Sequence, residues 1–356
     1  MRLIGQLILI ALITLALAEV GARLLLPRPG LQPFPPSQPP ELLVPDPIRS
    51  FAYRPGFNGK VHEDANSIDV KINALSMRDD PVQQNEHIDI LAVGDSFTVG
   101  YMVEANQAWP ARLEHYLGQA VPDSQPIRVL NAAVSGYSME QIRLTAEKYA
   151  YLHPDIVVAG VLPFVADRLV NPYQWFEGYA VRAKKIPFLR KAEGGFLTAN
   201  PDSIFSAETQ FWIMQNFRFG AAVWLALRNL GSEEVSYADS SETRNPDALF
   251  DLLKKEILKL RDFTKANGQK LVILMIGFQQ PDGSFGDGVK RQNGEIRDFC
   301  IAQGIPVYDP LPLLEENSDG PNFRISPGDY HWTPRAHDIA ASGLSKYLKT
   351  LEDAGM

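Results

Sequence analysis

Five short apolar runs separated by stretches of helical periodicity constrain this chain more than any other feature. They are residues 88–94 (IDILAVG), 127–133 (IRVLNAA), 155–160 (DIVVAG), 270–278 (KLVILMIGF) and 305–309 (IPVYD). They are apolar on both faces rather than alternating, which is the pattern of strands buried between two layers. Residues 109–117, 138–152, 246–266, 288–303 and 333–351 read as helices. Strands and helices in alternation predict an α/β fold, a doubly wound five-stranded parallel sheet with right-handed crossovers and helices on both faces. No internal repeat is visible.

One stretch breaks the rhythm. From about 161 to 245 no strand pattern is evident, and aromatic residues concentrate in NPYQWFEGYA and ETQFWIMQNFRFGAAVWLALRNL. It reads as a helical, aromatic-rich insertion over the carboxyl edge of the sheet, spanning about 165–245. A helix over 211–230 would present a broad apolar face. Packing onto the main domain, a lid or acyl-group pocket, and a docking face all suit it.

The amino-terminal segment is of another kind. Arg2 precedes an apolar run over residues 3–18, followed by Glu19, Arg23 and Leu24 to Leu26. A run apolar on all sides reads as an export or membrane segment. Ala16-Leu17-Ala18 suits cleavage of a signal peptide. Uncut, residues 3–26 would anchor the chain in the inner membrane, with Glu19 and Arg23 one turn apart and able to pair. In either case the remainder lies outside the cytoplasm. Residues 27–50 are dense in proline and predict a polyproline spacer reaching on the order of 60 Å, which favours the anchor. The organisation expected is therefore 1–26 signal anchor or signal peptide, 27–50 stalk, and 51–356 folded domain.

The net charge of −8 and the sequence pI of about 5.4, with no cluster of Lys and Arg, argue against nucleic acid as a partner. The single cysteine, Cys300, precludes an intramolecular disulfide and reads as a small apolar side chain in a helix. The spacing of Asp329, His331 and His337 fits no zinc pattern. His62, Glu63, Asp64 and Asp69 read as a solvated loop, and His153 as a helix end. No metal or cofactor is expected.

In open parallel sheets, sites form beyond the carboxyl ends of the strands. The first strand runs directly into GDSFTVG, so Ser96 falls in the tight turn into a helix, where amide groups favour a nearby anion. A serine hydroxyl needs a base to take its proton. Near the far end, SPGDYHWTPRAH offers His331, with Asp329 two residues earlier to orient it.

These segments resemble the conserved blocks of the SGNH/GDSL hydrolase superfamily. VGDSFTVG is similar to the first block, VLNAAVSGYSMEQ to the second with its glycine at Gly136, and DYHWTPRAHDIAA to the last. INALSMRDD resembles a segment just upstream of the serine in exported bacterial members. The match covers about residues 68–165 and 245–350. The resemblance implies a flavodoxin-like SGNH hydrolase fold, with Ser96 as nucleophile, His331 as base and Asp329 as its partner. It implies an oxyanion hole from the Ser96 and Gly136 amides, and an acyl-ester substrate, acetyl esters of an acylated envelope glycan first among them. Hydrolysis and O-acyl transfer through acyl-Ser96 both fit.

Two departures stand out. The last pair is spaced Asp-x-His where most of the superfamily has Asp-x-x-His. The third block should carry an asparagine donor before its aspartate. VLPFVADRLVNP matches the aspartate at Asp167 but has Ala166 in the asparagine position. Loss of one such donor costs about 3–4 kcal/mol of transition-state stabilisation. An asparagine restored at position 166, or at 165, is expected to accelerate turnover if that loop lies over Ser96. The competing reading is a catalytically impaired module for glycan binding or envelope assembly.

Overall fold

The structure is a computed structural model that describes residues 2–25, 39–63, 66–83, 86–120, 127–170, 172–176, 179–182, 189–191, 197–199, 217, 219, 246–320 and 322–353. The two-sided apolar runs form the expected sheet. Helix α1 (Arg2–Leu25) and two hairpins, β1 (Leu43–Asp46) with β2 (Ser50–Tyr53) and β3 (Asn58–Glu63) with β4 (Asn66–Lys71), come first. Then follow β5 (Ile90–Val93), α2 (Ser96–Val99), α3 (Trp109–Ala120), β6 (Val129–Asn131), α4 (Met139–Tyr149) and β7 (Ile156–Val161). After two short strand pairs, β8 (Tyr173–Phe176) with β9 (Tyr179–Arg182) and β10 (Leu189–Lys191) with β11 (Leu197–Ala199), the chain resumes at α5 (Pro246–Ala266). It continues through β12 (Lys270–Met275), α6 (Asp287–Ala302), β13 (Val307–Tyr308), α7 (Leu311–Glu316), β14 (Arg324–Ser326), β15 (Asp329–Trp332) and α8 (Pro334–Asp353).

The central sheet has five strands in the order β13-β12-β7-β5-β6, every pairing parallel. This is the flavodoxin order, and its topological switch point lies between β5 and β7. Alternate residues feed two cores. Leu91, Val93, Val157, Ala159, Leu271 and Ile273 face one, with α4 and α5. Ile90, Ala92, Val158, Val272 and Leu274 face the other, with α3 and α8. That division explains why the runs carry no polar alternation. Local signals place the helices; Ser138 and Gln141 close a capping box at the start of α4.

Two expectations need correction. The stalk predicted over 27–50 does not extend that far: Pro40–Leu42 is a 3-10 turn, and Leu43–Asp46 pairs with Ser50–Tyr53. Leu42, Leu43 and Phe51 are buried in the core, and their burial outweighs the local proline content. Pro45 is accommodated because this pair stands apart from the main sheet, where a missing N–H is tolerated. Residues 27–38 lie outside the described residues. The insertion expected to be helical opens on a 3-10 turn, Pro163–Leu169, and then also carries the antiparallel pairs β8–β9 and β10–β11, the first of them rich in aromatic residues suited to strands. The helix expected over 211–230 lies outside the described residues.

Helix α1 exposes apolar side chains along its length, and Gly5–Leu25 is long and apolar enough to cross a membrane, a test that signal sequences also pass. At about 1.5 Å per residue it extends roughly 36 Å, against a hydrocarbon core of about 30 Å. Glu19 and Arg23 pair at 2.8 Å, one turn apart. Cys300 is buried in α6, and burial pushes its thiol up to about 12.

His337 in α8 is a structural residue. Its Nδ1 accepts the Trp109 backbone N–H at 3.2 Å, at the start of α3. Burial, then the neighbouring His331 and Arg78, pushes its pKa down to about 3 from an ordinary 6.5. Between those values the unfolded chain holds a proton that the folded chain refuses, so stability is complete above about 6.5 and falls as pH drops toward 3. His337→Asn, which keeps an acceptor but cannot titrate, is expected to flatten the stability slope over that window by up to one proton. Denaturant titrations at pH 7 and pH 4.5 measure it, and an unchanged slope refutes the assignment.

Candidate active site

The turn after β5 is built around missing side chains. A Cβ on Gly94 would lie 2.0 Å from Thr98 Oγ1, and one on Gly160 at the end of β7 would lie 2.2 Å from the same atom. Thr98 therefore fills a niche between the ends of β5 and β7, and α2 begins within two residues of the strand. Asp95 caps that helix, its Oδ1 accepting from Phe97 N at 3.1 Å. Gly100 ends it in the left-handed conformation, φ 77°. Arg78, buried, binds the far end through the carbonyls of Val99 at 3.2 Å, Gly100 at 2.5 Å and Val103 at 2.7 Å. This gives the INALSMRDD segment its structural role: it clamps the helix that carries Ser96.

His331 arrives from β15. In an extended strand, residues two apart share a face, so the short Asp-x-His spacing places both side chains toward Ser96. His331 Nε2 lies 2.7 Å from Ser96 Oγ, and His331 Nδ1 lies 2.5 Å from Asp329 Oδ1. The same Oδ1 also accepts the His331 backbone N–H at 2.8 Å. With Nδ1 facing the carboxylate, Nε2 is the atom free to take the serine proton. Burial alone would raise the Asp329 carboxyl, but the bonds and charge of His331 hold it below its ordinary value. The imidazole lies between Phe97 and Tyr101, ring centroids at 4.8 and 4.6 Å. Phe164, Phe278 and Tyr330 continue this wall outward, with Phe164 exposed at its rim.

Gly136 has φ +83°, a conformation that side chains disfavour. Val134 N–H bonds the Gly94 carbonyl at 3.2 Å, which holds this loop beside the end of β5. Among the described residues, neither the Ser96 nor the Gly136 amide has a backbone acceptor outside regular elements. These are the two donors the sequence resemblance nominated.

The third-block segment behaves differently from the sequence expectation. Ala166 is buried, and with Val165 it borders a small cavity that Met139, Ile142, Leu253, Tyr137 and Asp95 also line, so an asparagine at either position would have to find its partners in a largely buried space. What this segment contributes is Arg168. Its Nη1 donates to Asp95 Oδ2 at 3.0 Å and to the Tyr137 carbonyl at 3.3 Å. One guanidinium thus ties the cap of α2 to the residue following Gly136. Sequence reading missed Arg168, and its one signal was its place directly after Asp167.

Other candidates fall elsewhere. His153 ends a 3-10 turn at φ 51°, as a helix-end residue should. Asp69 pairs with Lys60 on the surface. Asp64 lies outside the described residues, and Glu63 reaches Asp329 instead of solvent alone. His87, Asp89 and Asp155 could together ligate a metal ion, but they stand at the amino ends of β5 and β7, across the sheet from Ser96. A cavity of about 680 Å³ opens at that same edge, lined by Asp89, Leu117, Leu271 and Leu348. Chemistry, and not volume, distinguishes the Ser96 edge.

No family model matches the chain, and no curated protein sequence matches it. Among solved structures it is similar to a lipolytic protein of the G-D-S-L family from Desulfitobacterium hafniense, at 12% identity over 73% of this chain and 98% of that one, TM-score 0.39. It is similar to a member of the lipolytic G-D-S-L family from Veillonella parvula, at 13% identity over 73% and 97%, TM-score 0.39. It is also similar to an acetylxylan esterase from Geobacillus stearothermophilus, at 13% identity over 75% and 96%, TM-score 0.42.

The Arg168–Asp95 pair is buried on both sides. Arg168→Met would leave Asp95 buried and uncompensated, with an expected loss of about 3–5 kcal/mol in folding stability. Chemical denaturation measures it. A loss below about 1 kcal/mol, the range of an exposed pair, would show that the pair is not structural.

Proposed function

We propose that this chain is a serine-dependent ester hydrolase or O-acyltransferase of SGNH/GDSL type, acting through an acyl-Ser96 intermediate. The observation that carries the reading is the continuous array from Ser96 Oγ through His331 to Asp329, at 2.7 and 2.5 Å. Ser96 Oγ attacks the acyl carbonyl as its proton passes to His331 Nε2. Asp329 stabilises the imidazolium and holds its orientation. The Ser96 and Gly136 amides receive the oxyanion. Collapse expels the alcohol, which takes the proton back from Nε2, and the acyl group remains on Ser96. Water, or a sugar hydroxyl, then attacks that ester by the same route in reverse.

Acetyl esters on an envelope polysaccharide are the substrate class proposed. Residues 3–26 would hold the domain on the periplasmic face of the inner membrane. The exposed apolar helix α1 supports that placement. A second reading, a non-catalytic glycan-binding or assembly module, is favoured by one observation: position 166 is a buried alanine and offers no side-chain donor.

Ser96 is expected to be labelled by a fluorophosphonate, with peptide mapping to identify the site; absence of labelling decides for the non-catalytic module. Ser96→Ala and His331→Ala are each expected to lower ester turnover on the order of 10⁶-fold, and Asp329→Asn by roughly 10⁴-fold. Full activity in Ser96→Ala would sink the mechanism.

Location is tested separately. The mature protein is expected to retain residues 1–26 and to fractionate with the inner membrane. An intact mass corresponding to a chain beginning at Glu19 would identify a cleaved signal peptide instead.

A further inference from the structure

The Asp329 carboxylate is only half accounted for by His331. Oδ1 accepts both the imidazole Nδ1–H and the His331 backbone N–H. Oδ2 is buried and finds no donor among the described residues. Glu63, the last residue of β3, stands against it, and its Oε2 is likewise buried and without a donor. The two carboxyl groups are close enough to act directly on each other, and Tyr101 acts on Glu63 as well. The strand geometry accounts for this approach. Val61 and Glu63 share a face of β3, and Val61 is buried in a niche that Tyr101 also lines.

Two neighbouring carboxyl groups, each with a buried oxygen that lacks a donor, cannot both remain bare. Ionised together they repel, and each lacks a donor, at about 1–3 kcal/mol or more per unsatisfied group. One proton between them removes both penalties. We propose that Glu63 is a positioning residue of this site: as the neutral acid it donates a hydrogen bond to Asp329 Oδ2 and so fixes the carboxylate that orients His331. The proposal rests on the reading of Ser96, His331 and Asp329 as the active site.

The surroundings determine which carboxyl keeps the proton. The groups facing Glu63 are Asp329 and His331 of β15 and Tyr101 of the loop after α2. Asp329 is held ionised by two donors from His331. Glu63 is raised by burial and by the Asp329 charge, with the Tyr101 bond and His331 opposing. The pair therefore holds one proton and one negative charge, and titrates as a unit. When pH rises far enough to remove that proton, the donor is lost and a second charge appears beside Asp329. Activity then falls with increasing pH, at a pH above the ordinary glutamate range.

The test compares wild type, Glu63→Gln and Glu63→Ala, with p-nitrophenyl acetate as substrate. Glu63→Ala is expected to lose about tenfold or more in kcat, the worth of one charge-assisted hydrogen bond, with KM little changed. Glu63→Gln still donates through its amide, so it should recover most of that loss. Because it cannot ionise, it should also lack the alkaline limb of the wild-type pH profile. Infrared difference spectra of wild type minus Glu63→Gln at neutral pH should show the carbonyl stretch of a protonated carboxyl, whether or not the protein turns over ester. The proposal is overturned if that band is missing, if Glu63→Gln falls as far as Glu63→Ala, or if its alkaline limb matches wild type. A protein that shows the band but leaves Ser96 unlabelled by fluorophosphonate loses the enzymatic reading and keeps the shared proton.

Discussion

The structure depends on a close approach that two absent side chains permit. Gly94 and Gly160 end the two strands at the switch point, and Thr98 occupies the space their Cβ atoms would take. Any larger residue at either position would drive α2 away from the sheet edge. With α2 seated there, the serine lies beyond the carboxyl ends of the strands, where β15 brings an imidazole within 2.7 Å. The remaining contacts at this edge are best understood as fixing that seat from several sides. Asp95 caps the helix start, Arg78 binds its carbonyl end, and Asn131 Nδ2 adds bonds to the Thr98 and Val99 carbonyls at 3.3 and 3.4 Å.

Electrostatics at this edge follow from burial. Asp95, Asp329 and Glu63 gather around one serine, and each is answered by a different device. Arg168 neutralises Asp95 and His331 bonds Asp329, while Glu63 would answer its own charge by keeping a proton. Without these devices, each would be left as an uncompensated charge out of water. Phe97 and Tyr101 pack against the His331 ring, and less polar surroundings strengthen its bond to Asp329.

Much of the fold was legible because burial on two faces leaves a mark in local sequence. Each of the five runs coincides with one strand of the sheet, with boundaries shifted by a few residues. Ser96, Asp329 and His331 were legible for a related reason: the first follows a strand end and the other two share the short strand β15, each inside a short segment of distinctive residues. Glu63 and Arg168 were not. The face a hairpin residue presents is decided by what the hairpin packs on, and Asp329 is remote in sequence from the polar run VHEDAN. Arg168 sits in a segment whose resemblance drew attention to Ala166 instead. The β1–β2 hairpin was hidden by its prolines, since composition records a tendency toward extended chain and not whether Leu42 and Phe51 find a core.

The span between serine and imidazole has a consequence for how the protein comes into being. Ser96 and His331 are 235 residues apart, and the imidazole arrives on β15, immediately before α8. During synthesis the hydroxyl emerges long before anything can take its proton. A nascent or truncated chain ending before β15 therefore carries an unactivated serine, however well its sheet has formed. Contacts over such separations form late, because the entropy of closing the loop between them opposes their formation. Under the proposed mechanism, the reactivity of Ser96 is thus coupled to the docking of β15 and not to formation of the sheet alone.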